Sequence, residues 1–199
     1  MPYFIDILAF HLNDEYSQIS LASRSCLNYL AHSNLLSLPI ISTIKENLYK
    51  IFNTLPRLTR GTNEIETLMS MKLIVGYITL LGATNEINTL VQSTINHISI
   101  ALFQIIDFDI IDSRQDAPNS SVLNEYPKKI FKNFRDNTLI EHLSKVCRLL
   151  GYYSNPIFII QYYLNVIQDI NMSKYLKQAI FVLNEVILGN ISIYYIKIK

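Results

Sequence analysis

Thr138-Leu139-Ile140-Glu141-His142-Leu143-Ser144-Lys145-Val146-Cys147-Arg148-Leu149-Leu150-Gly151-Tyr152-Tyr153 is the stretch that decides the fold. Leu139, Ile140, Leu143, Val146, Cys147 and Leu150 step around the 3.6-residue period of an α-helix and leave Glu141, Lys145 and Arg148 for solvent. A half-buried strand would alternate instead. Thr138 and Glu141 have the spacing of a capping box at the helix start.

Outward from this segment the same period recurs. It runs through Ile19, Ala22, Cys26, Tyr29 and Leu30; through Ile44, Leu48, Ile51, Phe52 and Leu55; and through Ile87, Leu90, Val91, Thr94, Ile98, Leu102 and Ile105. Residues 64–81 are apolar on more than one face, as expected of a helix sandwiched between neighbours. Asn155 and Pro156 read as an N-cap and first-turn proline leading into Ile160, Leu164 and Ile167. A last helix carries Leu176, Ala179, Ile180, Leu183 and Ile187, with Gly189 placed to stop it in the left-handed conformation. Ile, Asn, Lys and Tyr are all abundant, as in AT-rich coding sequences, so isoleucine richness by itself is weak support for strands.

Leu80-Leu81-Gly82, Leu149-Leu150-Gly151 and Leu188-Gly189 each close a long apolar helix. Gly151 and Gly189 are 38 positions apart (189 − 151), close to the roughly 40-residue unit of a HEAT-like helix pair. The interval from Gly82 to Gly151 is longer because it contains an irregular stretch, 111–127, which reads as an inserted loop. The expected fold is therefore all-α: a HEAT-like α-solenoid of antiparallel helix pairs, each contacting mainly its neighbours. One array spans 1–190, and 191–199 form an unmatched C-terminal tail.

The chain has 199 residues, 50% of them hydrophobic and 17% charged, with a formal net charge of +1. That is enough chain for a sizeable core, and too little field to make nucleic acid or an anionic membrane the main partner. Cys26 and Cys147 form no CxxC or Cys/His cluster and read as buried thiols of an intracellular protein. No basic segment precedes the short apolar N-terminal stretch, which Asp6 interrupts, so no signal peptide is expected. Polar residues recur within each isoleucine-rich stretch, so no membrane span is expected either. The Asn119 and Asn171 sequons are then chance matches, and the expected location is the cytoplasm, with the nucleus as a second compartment.

The search for chemistry finds little. His11, His32, His97 and His142 lack ligand spacing, and a zinc site needs about four converging ligands. Asp107, Asp109, Asp112 and Asp116 form an acidic cluster without the glycine and glutamate of an EF-hand, and read as a solvated helix end and loop. Lys128, Lys129, Lys132 and Arg135, interleaved with Phe131 and Phe134, read as a short amphipathic helix, with a binding patch as the alternative. Five glycines leave no phosphate cradle, and no nucleophile motif is present. Ser113, Ser120 and Ser121 could accept phosphate, as serines of any polar loop could. The expectation is no catalytic residue, no cofactor and no metal.

Particular strings carry a family resemblance. Leu55-Pro56-Arg57-Leu58, Gly76-Tyr77-Ile78-Thr79-Leu80-Leu81-Gly82, Val146-Cys147-Arg148-Leu149-Leu150-Gly151-Tyr152-Tyr153 and Gln178-Ala179 with Leu183-Asn184-Glu185 resemble, in order and spacing, the Tel-two-interacting protein one family. Asp107-Phe108-Asp109 falls where that family has a helix end, and Phe131 and Phe134 where it has an F-x-x-F-like segment. The resemblance covers 38–190 and is weaker before Leu38. It implies a non-catalytic HEAT-repeat scaffold of the Triple T complex, acting with two other helical-repeat subunits and heat-shock chaperone adaptors to mature phosphatidylinositol-3-kinase-related kinases. These include the target-of-rapamycin kinase and the DNA-damage checkpoint kinases.

Family members are several times longer, so the chain reads as a fragment or truncated gene product, aggregation-prone where missing repeats would cover apolar faces. The quoted glycines are assigned to close helix approach or helix termination, Cys147 and Tyr77 to packing, and Pro56 to a kink or helix end. Arg57, Arg148 and the 111–127 loop are the candidate partner surface. A karyopherin-like or generic HEAT adaptor is the alternative function, and a hydrolase using the acidic cluster a distant third.

Overall fold

The computed structural model describes residues 2–12, 14, 16–32, 38–61, 63–83, 86–111 and 128–197. Its helices are α1 (Pro2–His11), α2 (Ser17–His32), α3 (Leu38–Arg60), α4 (Glu64–Ala83), α5 (Ile87–Ile105), α6 (Asn137–Tyr153), α7 (Pro156–Gln168) and α8 (Leu176–Lys197). A two-stranded antiparallel ribbon, β1 (Phe108–Ile111) with β2 (Lys128–Phe131), sits between α5 and α6, and a 3-10 turn, Ile170–Tyr175, joins α7 to α8. The fold is an all-α, helix-pair solenoid with this one small ribbon.

The stacking follows the apolar stripes. α4 packs on α6 and α6 on α8, while α3 packs on α5, so alternate helices form two layers; α3 with α4 and α7 with α8 bridge them. α1 and α2 cover the other side of α4. Surrounded in this way, α4 buries Met71, Ile74, Val75, Tyr77, Ile78, Leu80 and Leu81, which is why it reads apolar all round. Residues Glu64–Gly82 are long and apolar enough to cross a membrane by length and composition, but 56% of that window is buried against the rest of the chain. Inside the stack, the Tyr77 hydroxyl donates to Asp6 Oδ1 at 2.5 Å, tying α4 to α1. Burial, and then Asp6, push the Tyr77 phenol well above its usual pKa.

Several expectations hold residue by residue. On α5, Ile87, Leu90, Val91, Thr94, Ile98, Leu102 and Ile105 are all buried. On α3, Ile44, Leu48, Phe52 and Leu55 are buried. On α6, Leu139, Leu143, Val146, Cys147 and Leu150 are buried, with Ile140 packed at the margin. Asn155 caps α7, accepting from the backbone N–H of Ile157 and Phe158, with Pro156 in its first turn.

Others are corrected. α2 buries Ser23 and Leu27, while Ile19 and Tyr29 are exposed and so is Cys26. α7 buries Ile159, Tyr163 and Val166, and α8 buries Ala179, Val182 and Val186, one position away from most of the expected stripe. Helices carrying Ile, Leu or Val on several faces offer more than one stripe, and the neighbour's shape selects among them.

The cap of α6 is Asp136, whose side chain accepts from Thr138 N at 2.8 Å, so Thr138 lies inside the helix and does not cap it. Nor does α3 end at Pro56: it runs on to Arg60. Gly189 stops nothing, since α8 runs on to Lys197, while Gly82 and Gly151 lie in the last turn of α4 and α6, one and two residues before those helices end at Ala83 and Tyr153. α8 continues to Lys197, through most of the stretch expected as a tail.

Lys128–Phe131 is a strand, not part of an amphipathic helix. Phe108 pairs with Phe131 and Asp109 with Ile130 in the ladder. Ile and Phe fit a pleated surface, and a partner strand some twenty positions upstream leaves no local period to read. Phe108 meets the rings of Phe131 and Phe181 at 5.7 and 6.4 Å, and Phe134 is fully buried just beyond the strand. Lys132 Nζ lies 3.1 Å from Asp109 and 3.6 Å from Asp107, so half of the expected acidic cluster is engaged in ion pairs. Ile111 closes β1, and the rest of the predicted loop, with Asp112, Asp116, Ser113, Ser120 and Ser121, lies outside the described residues.

Candidate protein-docking surface

Among the described residues, no three His, Cys, Asp or Glu side chains gather in an arrangement that could hold a metal. His97 is exposed, His11 bonds Asp14 at 2.7 Å and His142 is buried; the side chain of His32 lies outside the described set. Cys147 is fully buried, and desolvation pushes its thiol far above the usual range, keeping it protonated and unreactive.

The family strings meet at helix crossings. A methyl added at Gly76 would strike Ala9 of α1, and one at Gly82 would strike the Tyr153 ring of α6. At Gly151 it would meet the Val186 carbonyl of α8, and at Gly189 the Arg148 carbonyl of α6. Gly151 and Gly189 thus face opposite backbones across a single α6–α8 contact. Beside it, Arg148 Nε donates to Glu185 Oε2 at 2.7 Å. The Glu185 carboxylate is nearly buried while the Arg148 head stays half exposed, so the pair orients the guanidinium outward. Leu55 and Leu150 are core, Pro56 and Tyr152 are half-buried, and Asn184 is exposed.

The surface candidates separate. Arg57 is exposed in the last turn of α3. Arg148 instead lines a groove of about 280 Å³ between α2, α4 and α6. Its floor includes Leu12, Val75 and Leu149, and Arg24 and Lys145 join Arg148 at its rim. Burial, and then the neighbouring Arg24 guanidinium, hold the Lys145 ammonium below its usual pKa. Sequence reading singled out Arg148 but missed Arg24 and Lys145 as its companions. Arg24 comes from α2, distant in the chain, and no local motif could bring it there, whereas Lys145 lies one turn before Arg148 on α6.

On the same helix, His142 Nδ1 lies 2.7 Å from the Thr138 carbonyl, which fits an N–H donor there, while Nε2 is buried without a hydrogen-bond partner. Desolvation lowers its pKa from 6.5, with Lys145 and Lys72 adding to the shift and the Thr138 bond and Glu141 opposing it. The neutral ring is therefore favoured in the folded state. Its contribution is complete above the unfolded pKa of 6.5 and is lost as pH falls from there through the lowered folded value. Urea unfolding is expected to show lower stability at acidic than at neutral pH. His142→Gln should flatten that part of the profile.

Comparison with known proteins places these contacts. The family model described as "TELO2-interacting protein 1 homologue second TPR domain" matches residues 44–197, which includes 191–197 of the expected tail. A human protein named TELO2-interacting protein 1 homolog is 27% identical over 197 residues, covering 89% of this chain and 18% of that protein. The mouse protein of the same name is 24% identical over 202 residues, covering 93% of the chain and 18% of its own length. The chain thus spans under a fifth of the curated relatives it matches, and no solved structure matches it. With the family match running through α3 to α8 and taking in the glycine contacts of α4, α6 and α8, the chain belongs to the TELO2-interacting protein 1 family.

Proposed function

We propose that the chain is a non-catalytic scaffold segment of the Triple T complex, supporting maturation and stability of phosphatidylinositol-3-kinase-related kinases in the cytoplasm and the nucleus. The family match over residues 44–197 carries this reading. The architecture supports it: a stack of helix pairs offers extended surface for protein partners. Its binding partners on this reading are the chain's TELO2-type counterpart, the third complex subunit, large kinases and chaperone adaptors. No cofactor, nucleic acid or membrane takes part.

Affinity purification of the tagged chain from cells tests it. Enrichment of the TELO2 counterpart and of large kinases over a tagged unrelated helical-repeat control is the expected result. Enrichment of importin cargo or Ran in their place would overturn the scaffold reading in favour of a transport adaptor. Failure to enrich the TELO2 counterpart would overturn it as well.

A further inference from the structure

α8 stands at one end of the row in which α4 packs on α6 and α6 on α8, yet it has the two apolar sides of a helix from the middle of such a row. Ala179, Val182 and Val186 are buried on the side that meets α6. The helical period puts Leu176, Ile180, Ile187 and Ile191 on the opposite side, where they remain between 37% and 51% exposed. With Leu183 at its margin, this second stripe has the three-and-four spacing of a helix-packing seam. On the neighbouring α7, Ile157 and Leu164 are exposed as well. The two helices also carry very little charge. α7 contains no Asp, Glu, Lys or Arg. Between Leu176 and Ile191, α8 has only Lys177 and Glu185, and Glu185 turns inward to Arg148. Depletion of charge around exposed large apolar side chains is the composition of a protein interface core.

We propose that the outer face of α7–α8 pairs with the same face of a second copy of this chain, α8 crossing α8 about a twofold axis so that the row of helices continues through the junction. The charge pattern selects this occupant. A twofold axis sets each group near it against its own copy, so a charged face would oppose like charges, whereas this one meets itself without repulsion. The pairing is closed, and assembly stops at two chains. From Leu176 to Ile191 the stripe is about 22 Å long, and two helices about 10 Å wide give a flat outline of roughly 440 Å² a side. That is below the ~800 Å² each partner contributes to a standard interface. The dimer is therefore reversible, with dissociation in the micromolar range. It goes beyond the scaffold reading and does not depend on it.

Sedimentation velocity of the full 199-residue chain, in reducing buffer so that the exposed Cys26 cannot cross-link, tests the pairing. Between about 2 and 200 µM the mass should rise from 23.0 kDa to twice that value and level off. Ile180→Glu/Ile187→Glu should weaken the dimer at least about tenfold. If circular dichroism shows that this variant melts early, Ile180→Ser/Ile187→Ser replaces it with a loss in the same direction. Ile7→Glu/Leu21→Glu, on exposed positions of α1 and α2 at the other end of the stack, should dimerise like the parent. A parent chain that stays monomeric throughout the range would assign the face to some other helix pair and overturn the proposal. A mass that climbs past two copies, or a dimer lost in the α1–α2 variant and kept in the folded α8 variant, would mean head-to-tail stacking and overturn it too.

Discussion

Phe134→Ala is expected to destabilise the chain by about 3–5 kcal/mol, the range for removing a fully buried aromatic ring. Phe134 has no exposed surface and follows directly on the ribbon. Around it the chain is held by backbone bonds to two distant elements: Lys132 N donates to the Asp107 carbonyl at 2.8 Å, and Arg135 N to Glu64 Oε1 at 2.5 Å. Emptying the Phe134 site leaves those bonds without the packing that positions them. Urea unfolding should register the loss, and hydrogen exchange should localise it, with the amides of Phe108–Ile111 losing protection before those of α4. Phe131→Ala, at a half-buried ring, should cost less. Equal costs at the two positions would show that Phe134 does not anchor the ribbon.

At Gly151 two effects oppose one another, and their magnitudes decide the sign. Alanine is favoured over glycine inside a helix by about 1 kcal/mol. Its methyl group, however, would press on the Val186 carbonyl, a backbone atom that cannot rotate aside, so α8 must move away from α6. Overpacking of this kind costs about 1–3 kcal/mol and more against backbone. Gly151→Ala is therefore expected to be destabilising by about 2 kcal/mol net, and Gly151→Val by more. Gly61→Ala supplies the contrast: its nearest neighbour would be the Leu58 carbonyl at 3.4 Å, an ordinary contact, and stability should change by less than about 0.5 kcal/mol. Gly189→Ala presses on the same contact from the other side, so the double substitution with Gly151→Ala should cost less than the sum of the singles. Thermal melts of the five variants suffice, and a Gly151→Ala variant as stable as the parent would mean that α6 and α8 are not in backbone contact.

These contacts also explain how the family strings could be recognised before their role was visible. Glycine after a leucine pair reads locally as a stop signal, because a helix commonly ends on such a residue. In the folded chain α8 passes through Gly189, while α4 and α6 do end within two residues of Gly82 and Gly151, and at all three the missing side chain serves a neighbour that the local sequence does not name. The same limit appears in α8, where Ile180 and Ile187 lie exposed while Ala179, Val182 and Val186 are buried. Small residues allow close approach, and that outweighs the larger hydrophobicity of isoleucine. Arg148 was legible as a surface residue with Lys145 one turn before it on α6, but its setting was not, since Glu185 reaches it from α8 and Arg24 lines its groove from α2.

By itself the sequence determined that the chain is helical, where α3, α5 and α6 turn their apolar faces, and how Asn155 starts α7, because those properties depend on residues within one or two turns of each other. Tertiary structure alone decided the β1–β2 pairing, the faces that α2, α7 and α8 bury, the use of the glycines, and the gathering of three cations over one apolar floor. Each of these joins groups far apart along the chain, and their free energy depends on which surfaces fit together, a property no local spacing encodes.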